Sequence, residues 1–185
     1  LRRITARAES ALHEASYALS PDGSFVVTTW TVPGVLAASR TVLVRIDIAS
    51  STSTILVDDD AADLGSPAIS PGGTHVAFLR ESLSTPEDAP RTTLQLYSFG
   101  DGTVTDAAPG WDLWPAAPTF SADGCGVLVV ADENGRATIF EVRDGTARRI
   151  THTDSAYSHV HATSDGSIFA LEASYLQPPH PVRID

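Results

Sequence analysis

Residues 17–30 read YALSPDGSFVVTTW, and the four residues at their centre return along the chain. Ser20-Pro21-Asp22-Gly23 is followed by Ser70-Pro71-Gly72-Gly73, by Ser121-Ala122-Asp123-Gly124 and, more loosely, by Thr163-Ser164-Asp165-Gly166. Serine at the first corner, proline at the second and glycine at the fourth suit a type I turn running into a left-handed residue. Each copy therefore reads as a tight reversal between two strands.

An apolar run follows every turn: Phe25-Val26-Val27, His75 to Leu79, Val127 to Ala131 and Ile168 to Leu171. Runs this short, rich in β-branched and aromatic residues and apolar on both faces, are strands buried from two sides. The turn glycines, at 23, 73, 124 and 166, repeat about every 40–50 residues, the period of a propeller blade. The expected fold is all-β: a β-propeller region of about four four-stranded antiparallel blades, part of a larger propeller.

The units are expected at 12–57, 66–106, 116–150 and 159–185, with 1–5 as the outermost strand of another blade. The last unit reaches Val182-Arg183-Ile184-Asp185, a letter-for-letter repeat of Val44-Arg45-Ile46-Asp47, and is one strand short. Arg2-Arg3-Ile4-Thr5 likewise repeats Arg148-Arg149-Ile150-Thr151, which closes the third unit. If the segment around Ile4 fills the fourth place beside Val182, the chain is a closed four-blade ring; if not, it is an arc. Propellers have roughly 4–8 blades, and four is the tight extreme, so the arc is the expectation.

The chain has 185 residues, 42% hydrophobic, with mean hydropathy near zero, enough for a core and unlike a disordered or fibrous chain. No apolar run approaches the roughly 20 residues of a membrane helix. Cys125 is the single cysteine, which excludes an internal disulfide and leaves the redox compartment open; it is expected as a small buried strand residue, and a cytoplasmic location is favoured. Net charge is −11 and every cation is an arginine, a balance that repels phosphate, so neither nucleic acid nor an anionic membrane is an expected partner. Without methionine, and opening at Leu1 with no signal segment before it, the chain reads as a portion of something longer.

Function is expected at one end of the propeller. Turns between first and second and between third and fourth strands are short, whereas Val32 to Arg40, Ser82 to Arg91 and Ser174 to His180 are long, as are the links Asp58 to Gly65, Ala107 to Pro115 and His152 to Ser158. Insertions confined to one face of a repeat protein mark a binding face. Trp111, Trp114, Tyr157 and His159 are the candidate contacts for a substrate or partner there. The two tryptophans, three apart, either cradle a peptide or aromatic group or plug the seam between blades, and burial habit favours the seam.

Asp58-Asp59-Asp60 with Asp63 offers oxygens to a hard cation, but matches no calcium loop and reads better as a solvated acidic link. His159 and His161 share one strand face with His152 near, yet no third zinc ligand has fitting spacing, and an inner strand lining a polar channel explains them. No metal and no cofactor is expected. There is no G-x-S-x-G elbow, no G-x-x-x-x-G-K loop and no dinucleotide fingerprint, so no catalytic residue is expected in this chain.

The units YALSPDGSFVVTTW, PAISPGGTHVAFLR and PTFSADGCGVLVVAD resemble the blades of the prolyl oligopeptidase family of serine peptidases, especially the bacterial dipeptidyl aminopeptidase and acylaminoacyl peptidase branch. The tail DGSIFALEASYLQPPHPVRID is similar to the last blade before the hydrolase domain of that branch. TolB-like propellers share the Ser-Pro-Asp-Gly turn. The resemblance implies a propeller capping an α/β-hydrolase domain, absent here, whose nucleophile, acid and histidine lie beyond Asp185. Peptide substrate is the implied partner, reached through the parent enzyme, and open blade edges imply self-association of the isolated chain. No adjacent Glu-Glu pair of the kind that grips a free peptide N-terminus in some dipeptidyl peptidases is present. The competing expectation is a TolB-like or WD-repeat-like protein-binding module.

Overall fold

A computed structural model describes residues 2–5, 15–33 and 39–184. Leu1, residues 6–14, residues 34–38 and Asp185 lie outside the described residues, and with them the start of the 12–57 unit, the tip of the Val32–Arg40 loop and the last letter of the repeated tail. Among the described residues all elements are strands. The first sheet holds β1 (Tyr17–Leu19), β2 (Phe25–Pro33), β3 (Ser39–Asp47) and β4 (Ser53–Val57); the second β5 (Ala62–Ile69), β6 (His75–Ser82), β7 (Thr92–Ser98) and β8 (Val104–Asp106). The third holds β9 (Pro115–Phe120), β10 (Val127–Glu133), β11 (Arg136–Arg143) and β12 (Thr146–Arg149); the fourth β13 (Ala156–Ala162), β14 (Ile168–Ala173) and β15 (His180–Ile184). Each sheet is an antiparallel meander in chain order, so among the described residues three blades have four strands and the last has three.

The recurring serine explains the recurring turn. Ser20 and Ser70 are each 2% exposed. Ser20 Oγ accepts the Phe25 N–H at 3.0 Å and donates to Asp22 Oδ1 at 2.8 Å, and Ser121 repeats both contacts with Gly126 and Asp123. One hydroxyl thus satisfies a strand-start amide while its aspartate takes the amide at Ser24 or Cys125. The glycine after it has φ of 70° at Gly23 and at Gly124. Cys125 sits in this turn and is exposed, not the buried strand residue expected, because the third blade's strand begins only at Val127.

Core side chains lie between blades, as strands apolar on both faces require. Phe25, Val27 and Leu43 of the first blade meet Leu64, Val76 and Phe78 of the second. Ala77 and Leu94 meet Phe120, Val127 and Phe140 of the third, and Leu128 and Ile139 meet Tyr157, Val160 and Ala170 of the fourth. Full burial of one such Leu, Val or Phe contributes about 1.5–3 kcal/mol. Between the first two blades the guanidinium of Arg45 lies 4.3 Å from the Phe25 ring centroid and 5.9 Å from that of Phe99, a cation over aromatic faces.

The chain is an arc. Adjacent blades are packed together, whereas the fourth makes no extended contact with the first among the described residues. The segment around Ile4 does not complete the fourth sheet: Arg2 donates to the carbonyls of Ile48 and Ala49 at 2.9 Å, and Ile4 packs on Val42, Val44 and Ile46. Ile150 packs on the group containing Val182 and Ile184, so Ile4 holds against the first blade the place that Ile150 holds against the fourth.

Inner strands are longer than the sequence suggests. The units expected to begin at 66, 116 and 159 open instead with strands that start at Ala62, Pro115 and Ala156. In each of these strands the ladder slips at one residue, between Gly65 and Ala68, opposite Leu128 to Val130, and between Ser158 and His161. The residue at the slip has φ of 49° at Ser66, 48° at Ala117 and 54° at His159. A bulge with a left-handed residue lets the strand continue past what looks like its end. Beside it, the Ser66 N–H donates to Ser16 Oγ at 3.0 Å, tying the first two inner strands together.

Candidate functional site

The end of the arc opposite the repeated turns carries the longer connections: 83–91, 107–114, 150–155 and 174–179. The third blade departs from this, because its β10–β11 connection is only Asn134-Gly135, with φ of 52° and 74°. The short hairpin is overlooked on one side by the 107–114 link and on the other by the 174–179 loop.

The structure separates the two tryptophans. Trp111 packs against the core between the second and third blades, its ring centroid 5.1 Å from that of Phe140. Its carbonyl accepts from Arg91 Nη2 at 2.9 Å. Trp111 is therefore the plug of the seam. Trp114 is 53% exposed and forms one wall of a shallow groove of about 280 Å³ with Asp112, Leu113, Ala116, Val130 and Asp132.

Tyr157 is buried, facing the third blade's core, and its hydroxyl bonds to Thr153 Oγ1 and Glu172 Oε1. Burial raises its pKa, while a hydrogen bond from Ser155, ahead of those from Tyr157 and Thr153, lowers that of Glu172. Tyr157 thus serves the packing of the fourth blade and is not presented at the loops. His159 is exposed at the inner-strand bulge, its Nδ1 3.1 Å from Ser158 Oγ. The bulge prevents simple alternation from His159 to His161. The four candidates do not converge on one pocket.

The acidic link is spent on arginines. Asp58 Oδ1 lies 2.7 Å from Arg40 Nε, Asp60 3.3 Å from the same atom, and Asp59 Oδ2 2.7 Å from Arg80 Nε. The Arg40 hydrogen bond lowers the Asp58 pKa, and Asp63 accepts the Thr41 N–H at 2.7 Å. Among the described residues no group of His, Cys, Asp or Glu is placed to hold a metal. A larger cavity of about 710 Å³ lies between the third and fourth blades, and Arg143 in its wall bridges Asp123 at 2.9 Å and Glu141 at 2.9 Å.

Sequence reasoning missed Tyr175 and Leu176, which stand 95% and 94% exposed on the 174–179 loop beside the same hairpin. Only their position in an expected long loop could have marked them. Arg136 lies over the Tyr175 ring, its guanidinium carbon 5.7 Å from the centroid. The arrangement can hold a side chain or a surface.

Among proteins of known name the chain is similar to "Probable dipeptidyl-peptidase 5" of Aspergillus niger, 28% identical over 137 residues, covering 68% of the chain and 19% of that protein. It therefore spans about a fifth of the length of the curated relatives it matches. No family model matches. Among solved structures, the acylaminoacyl peptidase of Pyrococcus horikoshii superimposes with a TM-score of 0.72 at 13% identity, over 94% of this chain and 26% of that one. A chain described as TolB from Agrobacterium tumefaciens superimposes with a TM-score of 0.66 at 16% identity, over 89% and 57%. In sequence the chain thus resembles a part of dipeptidyl-peptidase 5, and it shares the fold of the acylaminoacyl peptidase and TolB chains over most of its length.

Proposed function

We propose that this chain is the non-catalytic propeller portion of a serine peptidase, which gates or orients peptide substrates for an α/β-hydrolase domain lying beyond residue 185. The observation that carries the reading is the sequence kinship to dipeptidyl-peptidase 5 over two thirds of the chain, joined to an arc of antiparallel blades. Exposed Trp114, Tyr175 and Leu176 at the long-loop end support contact with a substrate or a second domain there. A TolB-like protein-binding module is the second reading, favoured by the likeness to the Agrobacterium chain.

Reading the coding region downstream of Asp185 separates the two. A G-x-S-x-G segment between a strand and a helix, followed by Asp and then His, is the expected result. A stop codon, or further blades without that elbow, overturns the peptidase reading.

A further inference from the structure

The Asn134-Gly135 hairpin has an aromatic residue on either side, and the two are differently furnished. On one side a cation, Arg136, lies over one face of the exposed Tyr175 ring, its Nε donating to the Asp154 carbonyl at 2.9 Å. On the other side Trp114 has carboxylates for neighbours. The ladder ends with Pro115 opposite Ala131, and the next residue of each segment, Trp114 and Asp132, lines the same groove. Asp112, 94% exposed at its side chain, also lines the groove, and among the described residues its one ion pair is with Arg91 Nη2 at 3.5 Å. Among the described residues no guanidinium lies over Trp114 and no cation pairs with Asp132.

We propose that the Trp114 groove holds an arginine side chain of an extended peptide, the guanidinium stacked on the indole face and bonded to Asp132 and Asp112. Indole is the best aromatic partner for a cation, and guanidinium is the cation most often found over one. Two carboxylates offer its planar fork the acceptors it lacks elsewhere. The net charge of −11 draws such a peptide in, and the chain's own Arg136–Tyr175 and Arg45–Phe25 pairs show the geometry in use. Under the peptidase reading, on which the identity of the peptide rests, it is a substrate with a basic residue.

The test is a titration of the whole chain with the blocked pentapeptide Gly-Ala-Arg-Ala-Gly and its citrulline counterpart, followed by tryptophan emission and by the indole N–H resonances. The arginine peptide is expected to saturate one indole signal, with binding weakened by salt and about five-fold or more tighter than for citrulline. Trp114→Ala abolishes the response, and Asp132→Asn, at an exposed site that leaves the fold intact, weakens binding several-fold. Equal binding of the citrulline peptide, or a response that survives Trp114→Ala, overturns the assignment. So does absence of any binding, which leaves the peptidase reading to be decided separately by the downstream coding sequence.

Discussion

Ser20 and Asp22 close the first turn on each other: Ser20 Oγ donates to Asp22 Oδ1 at 2.8 Å, and the same oxygen takes the Ser24 N–H at 3.0 Å and the Ser24 hydroxyl at 2.7 Å. A carboxylate that accepts three donors is held ionised.

The acid limb of stability follows from this. The Ser24 amide, with the Ser24 and Ser20 hydroxyls, lowers the Asp22 pKa to about 2. Asp123, through Arg143 first, and Asp165, through Thr163 first, are also lowered. A depressed folded-state pKa gives stability that is present above the unfolded value of about 3.9 and is lost as pH falls through the folded value. Melting temperature should fall between about pH 4 and 2, and Asp22→Asn should shrink that fall while lowering the plateau near neutrality. An unchanged acid limb in the variant contradicts the turn account.

Gly23→Val tests the backbone alone. Nothing lies within 4 Å of a Cβ placed there, but φ is +70°, where a β-branched side chain is penalised. The cost should be about 1–2 kcal/mol, a drop of about 2–8 °C in melting temperature. Gly65→Ala, equally open but without a left-handed φ, should stay within about 0.5 kcal/mol. Equal effects at the two sites would show that φ is not the cause.

The two tryptophans should part in a urea titration. Trp111→Ala removes a ring packed on Phe140 and should cost about 2–3 kcal/mol. Trp114→Ala, at a half-exposed site, should cost under about 0.5 kcal/mol. A large loss at Trp114 would place it in the fold and not in a recognition groove.

Calcium should do nothing. Asp58 and Asp59 are committed to Arg40 and Arg80, so calcium at ~1 mM should move the melting temperature by less than about 1 °C. A rise of several degrees would mean that the ion displaces the arginines.

What could be read from sequence was whatever repeats. Ser20-Pro21-Asp22-Gly23 and its relatives carry their own turn chemistry, and the Val44–Asp47 and Val182–Asp185 identity announced a strand with the same place in two blades. The inner-strand bulges were hidden because Ser66, Ala117 and His159 have side chains that give no sign of a left-handed backbone. The site was half legible. Trp111 and Trp114 look alike in sequence, and only the packing of one on Phe140 distinguishes plug from wall. Tyr157 looked available because its hydrogen-bond partners, Thr153 and Glu172, come from a link and a neighbouring strand.

The central claim is tested most directly on the native gene product. Captured from its source with an antibody to this propeller, it should be labelled by a fluorophosphonate, which reacts with an activated serine, and should run as a chain well above 19.5 kDa. A product of that larger size that resists the label, or one no larger than the propeller itself, would contradict the account.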